Sequence, residues 1–142
     1  MNLLAVRAAL AVAAVYGFFL IFAQFSFVEL LRAGGLGLAS EKVALGLMAA
    51  AGITGGFLTA WRGVSPMAVR CALGVAAVAS ALAPVANTAP LAFLIAVATG
   101  AALGVATVGL SALAPAWCGV GWIGLGTGLG YACCNLPVVF LQ

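Results

Sequence analysis

Long apolar runs follow one another along this chain, separated by short clusters of charged, polar and helix-breaking residues. Five of these runs come close to the roughly 17 to 25 residues that span a bilayer core. They cover about residues 8–31, 43–61, 66–83, 91–113 and 120–141. Only structures that satisfy their own backbone hydrogen bonds survive in lipid. The pattern therefore predicts an all-α protein, a polytopic transmembrane helix bundle of about five spans that forms one domain.

The connections carry their own signals. Arg32 to Lys42 has charges at both ends and glycines between, which predicts a loop with Ser40 as N-cap of the next helix. Arg62 to Pro66 places glycine after one helix and proline at the start of another. In Pro84 to Pro90, Asn87 or Thr88 is available as a cap and Pro90 can occupy the first helical turn. Ala114 to Gly119 is expected to link the last two spans; alternatively Pro115 lies inside one kinked, re-entrant element and the count falls to four.

Composition turns this pattern into a constraint. With 67% hydrophobic and 5% charged residues, the chain cannot build a water-soluble surface. No charged side chain occurs between Cys71 and Gln142. As one helix that stretch would be about 100 Å long, against a hydrocarbon core of about 30 Å, so it must fold back on itself. Arg7 followed by an apolar run imitates a secretory signal, but the run continues for about 21 residues to Val28 and no A-x-A site closes it.

Charge excludes several functions. The net charge of +3 comes from singly scattered basic residues, without the clusters of a nucleic-acid footprint. Cys71, Cys118, Cys133 and Cys134 lie in apolar runs without C-x-x-C spacing, and there is no histidine. They read as small apolar side chains, so no metal and no cofactor is expected. Ser26, Ser40, Ser65, Ser80 and Ser111 have no histidine to activate them, and an enzyme is not expected. Arg7, Arg62 and Arg70 against Arg32 and Lys42 favour a cytoplasmic N-terminus in a multi-pass protein of the cell membrane.

A few residues stand out against this background. Glu29 sits near the end of the first span, and an intramembrane carboxylate is a functional candidate by default. Arg32, three residues on, can meet it on a helix, so the two form a candidate coupling or interfacial ion pair. Gln24 lies deeper and should face other helices or a cavity, but it is about 140° from Glu29 around the helix. Gly52 with Gly56, Gly100 with Gly104, Gly124 with Gly128, and Gly126 with Gly130 have the spacing that lets helix backbones approach closely. The run Gly124 to Pro137 carries glycines on alternate positions and, near Asn135 and Pro137, the features of a broken helix whose freed carbonyls line a site. The plainer alternative is a kinked helix without such a role.

With these residues in view, the chain resembles the N-terminal half of a major facilitator superfamily transporter. The first helix from Tyr16 (YGFFLIFAQFSFVELLR), a short external loop, a second helix ending in an arginine-and-glycine turn, and glycine-rich later helices follow the order of that family. Its cytoplasmic loop motif, G-x-L-x-D-R-x-G-R, is matched at Gly56, Leu58 and Gly63, with Arg62 keeping the turn basic. Ala60, Trp61 and Val64 replace the motif's aspartate and its two arginines. The resemblance implies a secondary transporter, or part of one, that moves a small-molecule solute between two helix bundles. The cavity-facing candidates it implies are Tyr16, Gln24 and Asn135. A full member has about twelve helices, so other membrane chains or a C-terminal half would complete the pathway. The chief rival is a non-transporting subunit of a larger membrane complex. A third reading is a small oligomeric multidrug exporter, which the position of Glu29 beside Arg32 suits poorly.

Overall fold

The computed structural model describes residues 3–18, 21, 25–118 and 124–129. These form helices α1 (Leu3–Phe18), α2 (Phe27–Ala33), α3 (Leu38–Arg62), α4 (Pro66–Leu82) and α5 (Ala89–Cys118), with a 3₁₀ turn at Ala83–Val85 after α4. Residues 124–129 are also helical. No strand occurs among the described residues, so the protein is all-α. Three segments, Leu38–Arg62, Pro66–Val85 and Ala89–Ala116, are each long and apolar enough to cross a membrane.

The connection between α2 and α3 departs from the expected loop. The Leu36 N–H donates to the Leu31 carbonyl at 3.1 Å and the Gly35 N–H to that of Arg32 at 2.9 Å. This paired arrangement is a Schellman cap, which needs a left-handed residue at its centre, and Gly35 supplies it at φ 77°. Leu36 then packs onto the buried cluster containing Leu31. Because the cap turns the chain within four residues, α3 resumes at Leu38, not near Val43, with Gly37 at the N-cap position and no side-chain cap. Ser40 therefore lies inside α3, and Glu41 falls in its first turn, where a carboxylate complements the helix dipole.

The next two connections keep the glycine and proline positions expected from the sequence. Gly63, at φ 89°, ends α3. Ser65 caps α4 by accepting a hydrogen bond from the Met67 N–H at 3.3 Å, and Pro66 occupies the first turn, where no N–H is needed. After the 3₁₀ turn, Thr88 accepts from the Ala92 N–H at 3.0 Å through its carbonyl, and Pro90 lies in the first turn of α5.

The expected link at Ala114 to Gly119 is corrected in part, because α5 runs for 30 residues through Pro115 to Cys118. Proline there removes one hydrogen bond and crowds the preceding turn. It stands close enough to the helix end that little of the ladder depends on it. Of the stretch expected at 120–141, 124–129 belong to the described residues; the remainder lies outside them.

Helix α5 is the centre of the bundle, packing against α3, α4 and α1. Its contacts with α4 bury Ala72, Ala76, Ala102 and Ala106. A larger cluster gathers Phe27 and Leu31 of α2 with Ala44, Met48, Ala79 and Ile95. Alanine and glycine dominate because lipid supplies no hydrophobic driving force between helices, leaving close van der Waals approach as the main attraction. The approach is closest between α3 and α5. A Cβ at Gly100 would collide with the Met48 carbonyl oxygen, and one at Gly104 with that of Gly52. At Gly55 a Cβ would lie 2.6 Å from the Ala101 oxygen.

Candidate functional site

The glycine seam that joins α3 to α5 also forms the floor of a cleft. Tyr16 of α1, Leu45, Ala49, Ile53 and Phe57 of α3, and Leu103, Thr107 and Val108 of α5 surround Gly52, Gly56, Gly100 and Gly104, enclosing about 610 Å³. The cleft exists because α1 packs on α5, leaving the side of α3 that carries Ile53 and Phe57 uncovered. Its wall is almost wholly apolar. Among the described residues Tyr16 and Thr107 contribute its only side-chain hydroxyls, and that of Thr107 already donates to the Leu103 carbonyl at 2.7 Å. The half-buried Tyr16 hydroxyl makes no hydrogen bond among the described residues. A second cleft of about 530 Å³ lies between α4 and α5, lined by residues such as Val75, Val78, Leu82 and Leu94.

Away from the cleft, the end of α2 and the start of α3 hold a three-membered charge cluster. Arg32 Nη1 donates to Glu29 at 3.0 Å, the i,i+3 contact expected on one helix, between side chains 52% and 70% exposed. Arg32 Nε donates to both carboxylate oxygens of Glu41 at 3.2 and 3.3 Å. Glu41 is nearly buried, at 6% side-chain exposure. The hydrogen bonds and charge of Glu41, followed by the charge of Glu29, hold the Arg32 guanidinium above its ordinary pKa range. By charge and glycine content alone, Glu41 belongs to a loop between two spans. Helix α3 instead starts early and carries Glu41 onto its inner face, and the sequence signal that could have found it is the dipole preference for an acid in a first turn.

The other hydroxyls are mostly spent within their own helices. Thr54, Thr59 and Ser80 donate to the carbonyls of Ala50, Gly55 and Ala76 at 2.8, 2.8 and 2.6 Å. Such back-bonding is the usual way for a hydroxyl to enter an apolar medium. Thr99 is the exception. It is fully buried, and its Oγ1 has no hydrogen-bond partner among the described residues.

The structure brings some of the sequence candidates together and leaves others apart. Tyr16, Gly52, Gly56, Gly100 and Gly104 share the cleft. Gln24 and Asn135 lie outside the described residues, as do Gly130 and Pro137. Among the described residues nothing comes within 4 Å of a Cβ built at Gly124 or Gly128. The packing glycine of that stretch is Gly126, where a Cβ would sit 2.6 Å from the Ala9 carbonyl oxygen of α1. Of the loop-motif residues, Gly56 is buried against Val108 and Gly104, Leu58 and Arg62 are exposed, and Gly63 provides the positive φ that ends α3. Among the described residues no three His, Cys, Asp or Glu side chains gather into a metal site.

Taken together, the chain is an α-helical protein built for a membrane, with an apolar cleft over a glycine seam. No protein-family model, no curated protein and no solved structure matches it.

Proposed function

We propose that the chain is part of a secondary transporter that moves a small solute across the cell membrane, with a multi-pass arrangement of the major facilitator type and a cytoplasmic N-terminus. The cleft between α1, α3 and α5 carries this reading. Three different helices contribute to it, and its floor is a seam of bare backbone on which helices can rock without interlocked side chains. Among the described residues the Tyr16 hydroxyl is its one polar side chain without a hydrogen bond. In this reading no residue performs catalysis and no cofactor takes part. Further membrane chains, or a second half, supply the opposite wall of the pathway. The motif Gly56, Leu58, Arg62 and Gly63 forms the cytoplasmic turn between two spans, and the Glu29–Arg32 pair lies at the outer interface.

A second reading has its own support, namely the absence of charge from the cleft wall together with the exposure of Ile53 and Phe57 at 75% and 65% on its rim. Those features suit a non-transporting subunit whose open face receives a neighbouring chain.

Reconstitution separates the two. Proteoliposomes containing the full chain are expected to take up a solute in a time-dependent manner. Tyr16→Phe, Gln24→Ala and Asn135→Ala should each reduce the rate. If no solute in a broad panel is moved, or if all three variants match the wild type, the transporter reading fails and the subunit reading stands.

A further inference from the structure

The cleft ends one helical turn from Lys42, which forms no ion pair among the described residues. The chain has two acidic side chains, and among the described residues the ion pairs of Glu29 and Glu41 are both with Arg32 and neither is with exposed Lys42. At 100° per residue, Leu45, Ala49, Ile53 and Gly56 all fall within about 60° of Lys42 around α3. The cation therefore stands at the end of the strip that lines the cleft. Arg62, at the opposite end of α3, is turned about 160° away from it.

The dimensions of the cleft match a lipid acyl chain. From Leu45 to Phe57 the cleft runs along α3 for about 18 Å at 1.5 Å per residue. One leaflet of a hydrocarbon core about 30 Å thick is close to that depth. A polar or charged solute would find only the Tyr16 hydroxyl along this wall and would lose its hydration for little in return. An extended hydrocarbon chain would meet apolar side chains and the flat glycine floor throughout. A phosphate at the head of that chain would reach the headgroup depth where Lys42 stands.

We propose that the cleft binds an anionic glycerophospholipid, with one acyl chain lying along α3 between Tyr16 and Val108 and the phosphate on the Lys42 ammonium. The proposal goes beyond the transport reading: it uses the same cleft but rests on the apolar wall and on Lys42, and the bound lipid is not the transported solute. Binding itself requires no turnover.

The test is native mass spectrometry of the full chain released from detergent micelles, with phosphatidylglycerol or phosphatidylcholine of identical acyl chains as the probe. Lys42→Gln should lower retained phosphatidylglycerol about fivefold, the loss of one interfacial cation at about 1 kcal/mol. Lys42→Arg and Arg62→Gln should retain wild-type amounts. Ala49→Phe, which fills the cleft clear of the glycine seam, should reduce retention of both lipids; Ile53→Trp serves the same purpose if that variant does not fold. Equal retention by Lys42→Gln and Arg62→Gln, or unaltered retention after the cleft is filled, overturns the proposal. Retained lipid without solute flux in proteoliposomes would end the transport reading alone, whereas flux with no lipid held at the cleft would end this proposal alone.

Discussion

Arg32 and Glu41, nine residues apart, are joined across the turn between α2 and α3 by paired hydrogen bonds of 3.2 and 3.3 Å from one guanidinium nitrogen to both carboxylate oxygens. This contact makes the C-terminal end of α2 part of the bundle. It also sorts the two acids of the chain into unequal roles. Glu29 meets the same arginine from an exposed position and can be solvated if the contact breaks, whereas Glu41 has almost no access to solvent.

The first expected outcome is therefore a ranking. Arg32→Ala should lower the melting temperature in detergent by several degrees, because it strands the Glu41 carboxylate, and Glu29→Gln should shift it by little. Thermal unfolding followed by circular dichroism measures both. The raised Arg32 pKa stabilises the fold below the ordinary arginine range, and that contribution is lost only as pH rises above it. The guanidinium should thus add no pH dependence between about pH 6 and 9. Equal effects of the two substitutions would refute the assignment of Glu41 as the principal partner.

The glycine seam offers a second measurement. Gly104→Ala puts a methyl group into the Gly52 carbonyl, which only a separation of α3 from α5 can relieve. Overpacking of this kind costs about 1 to 3 kcal/mol. Gly74→Ala, with open space at the same atom, should be neutral or slightly stabilising. Steric trapping or denaturant titration in mixed micelles gives the difference directly.

At Thr99 the expected sign is reversed. Valine keeps the shape of threonine and removes a buried hydroxyl that has no partner among the described residues. Thr99→Val should leave stability unchanged or raise it by about 1 to 2 kcal/mol in the same titration. A clear loss of stability would mean that the hydroxyl is satisfied by a group beyond those residues.

The Schellman cap makes Gly35 more demanding than its neighbour. Gly35→Ala forces an L side chain into the left-handed region at a cost of about 1 kcal/mol. Gly37→Ala, at φ −74°, should cost less. Faster amide exchange from Gly34 to Leu38 in the first variant alone would report the loosened turn.

Much of the outline was legible from residue order. The start of α4 at Pro66, the turn before α5 and the long apolar helices follow from local rules, because each depends on residues within one helical turn. The misplaced features depend on more distant partners. Lys42 and Glu41 look like loop residues when charge is weighed alone, and the Arg32 side chain that accommodates Glu41 is nine positions away. Pro115 looks like a helix end, although α5 carries it through near its terminus. The glycine pairs were visible as spacings, but nothing in the spacing said that Gly126, and not Gly124 or Gly128, would meet Ala9.

The amino-acid sequence on its own determined the solvent of this protein and its helical class, since apolar side chains on every face and nearly absent charge can be stabilised only in lipid, where the backbone must satisfy itself. Tertiary structure decided which faces meet. In lipid every apolar face is equally content to be exposed, so burial does not choose a partner, and the selection falls to where bare backbone meets bare backbone. That criterion joined α3 to α5, opened the cleft beside them and left Lys42 at its end without an ion pair among the described residues.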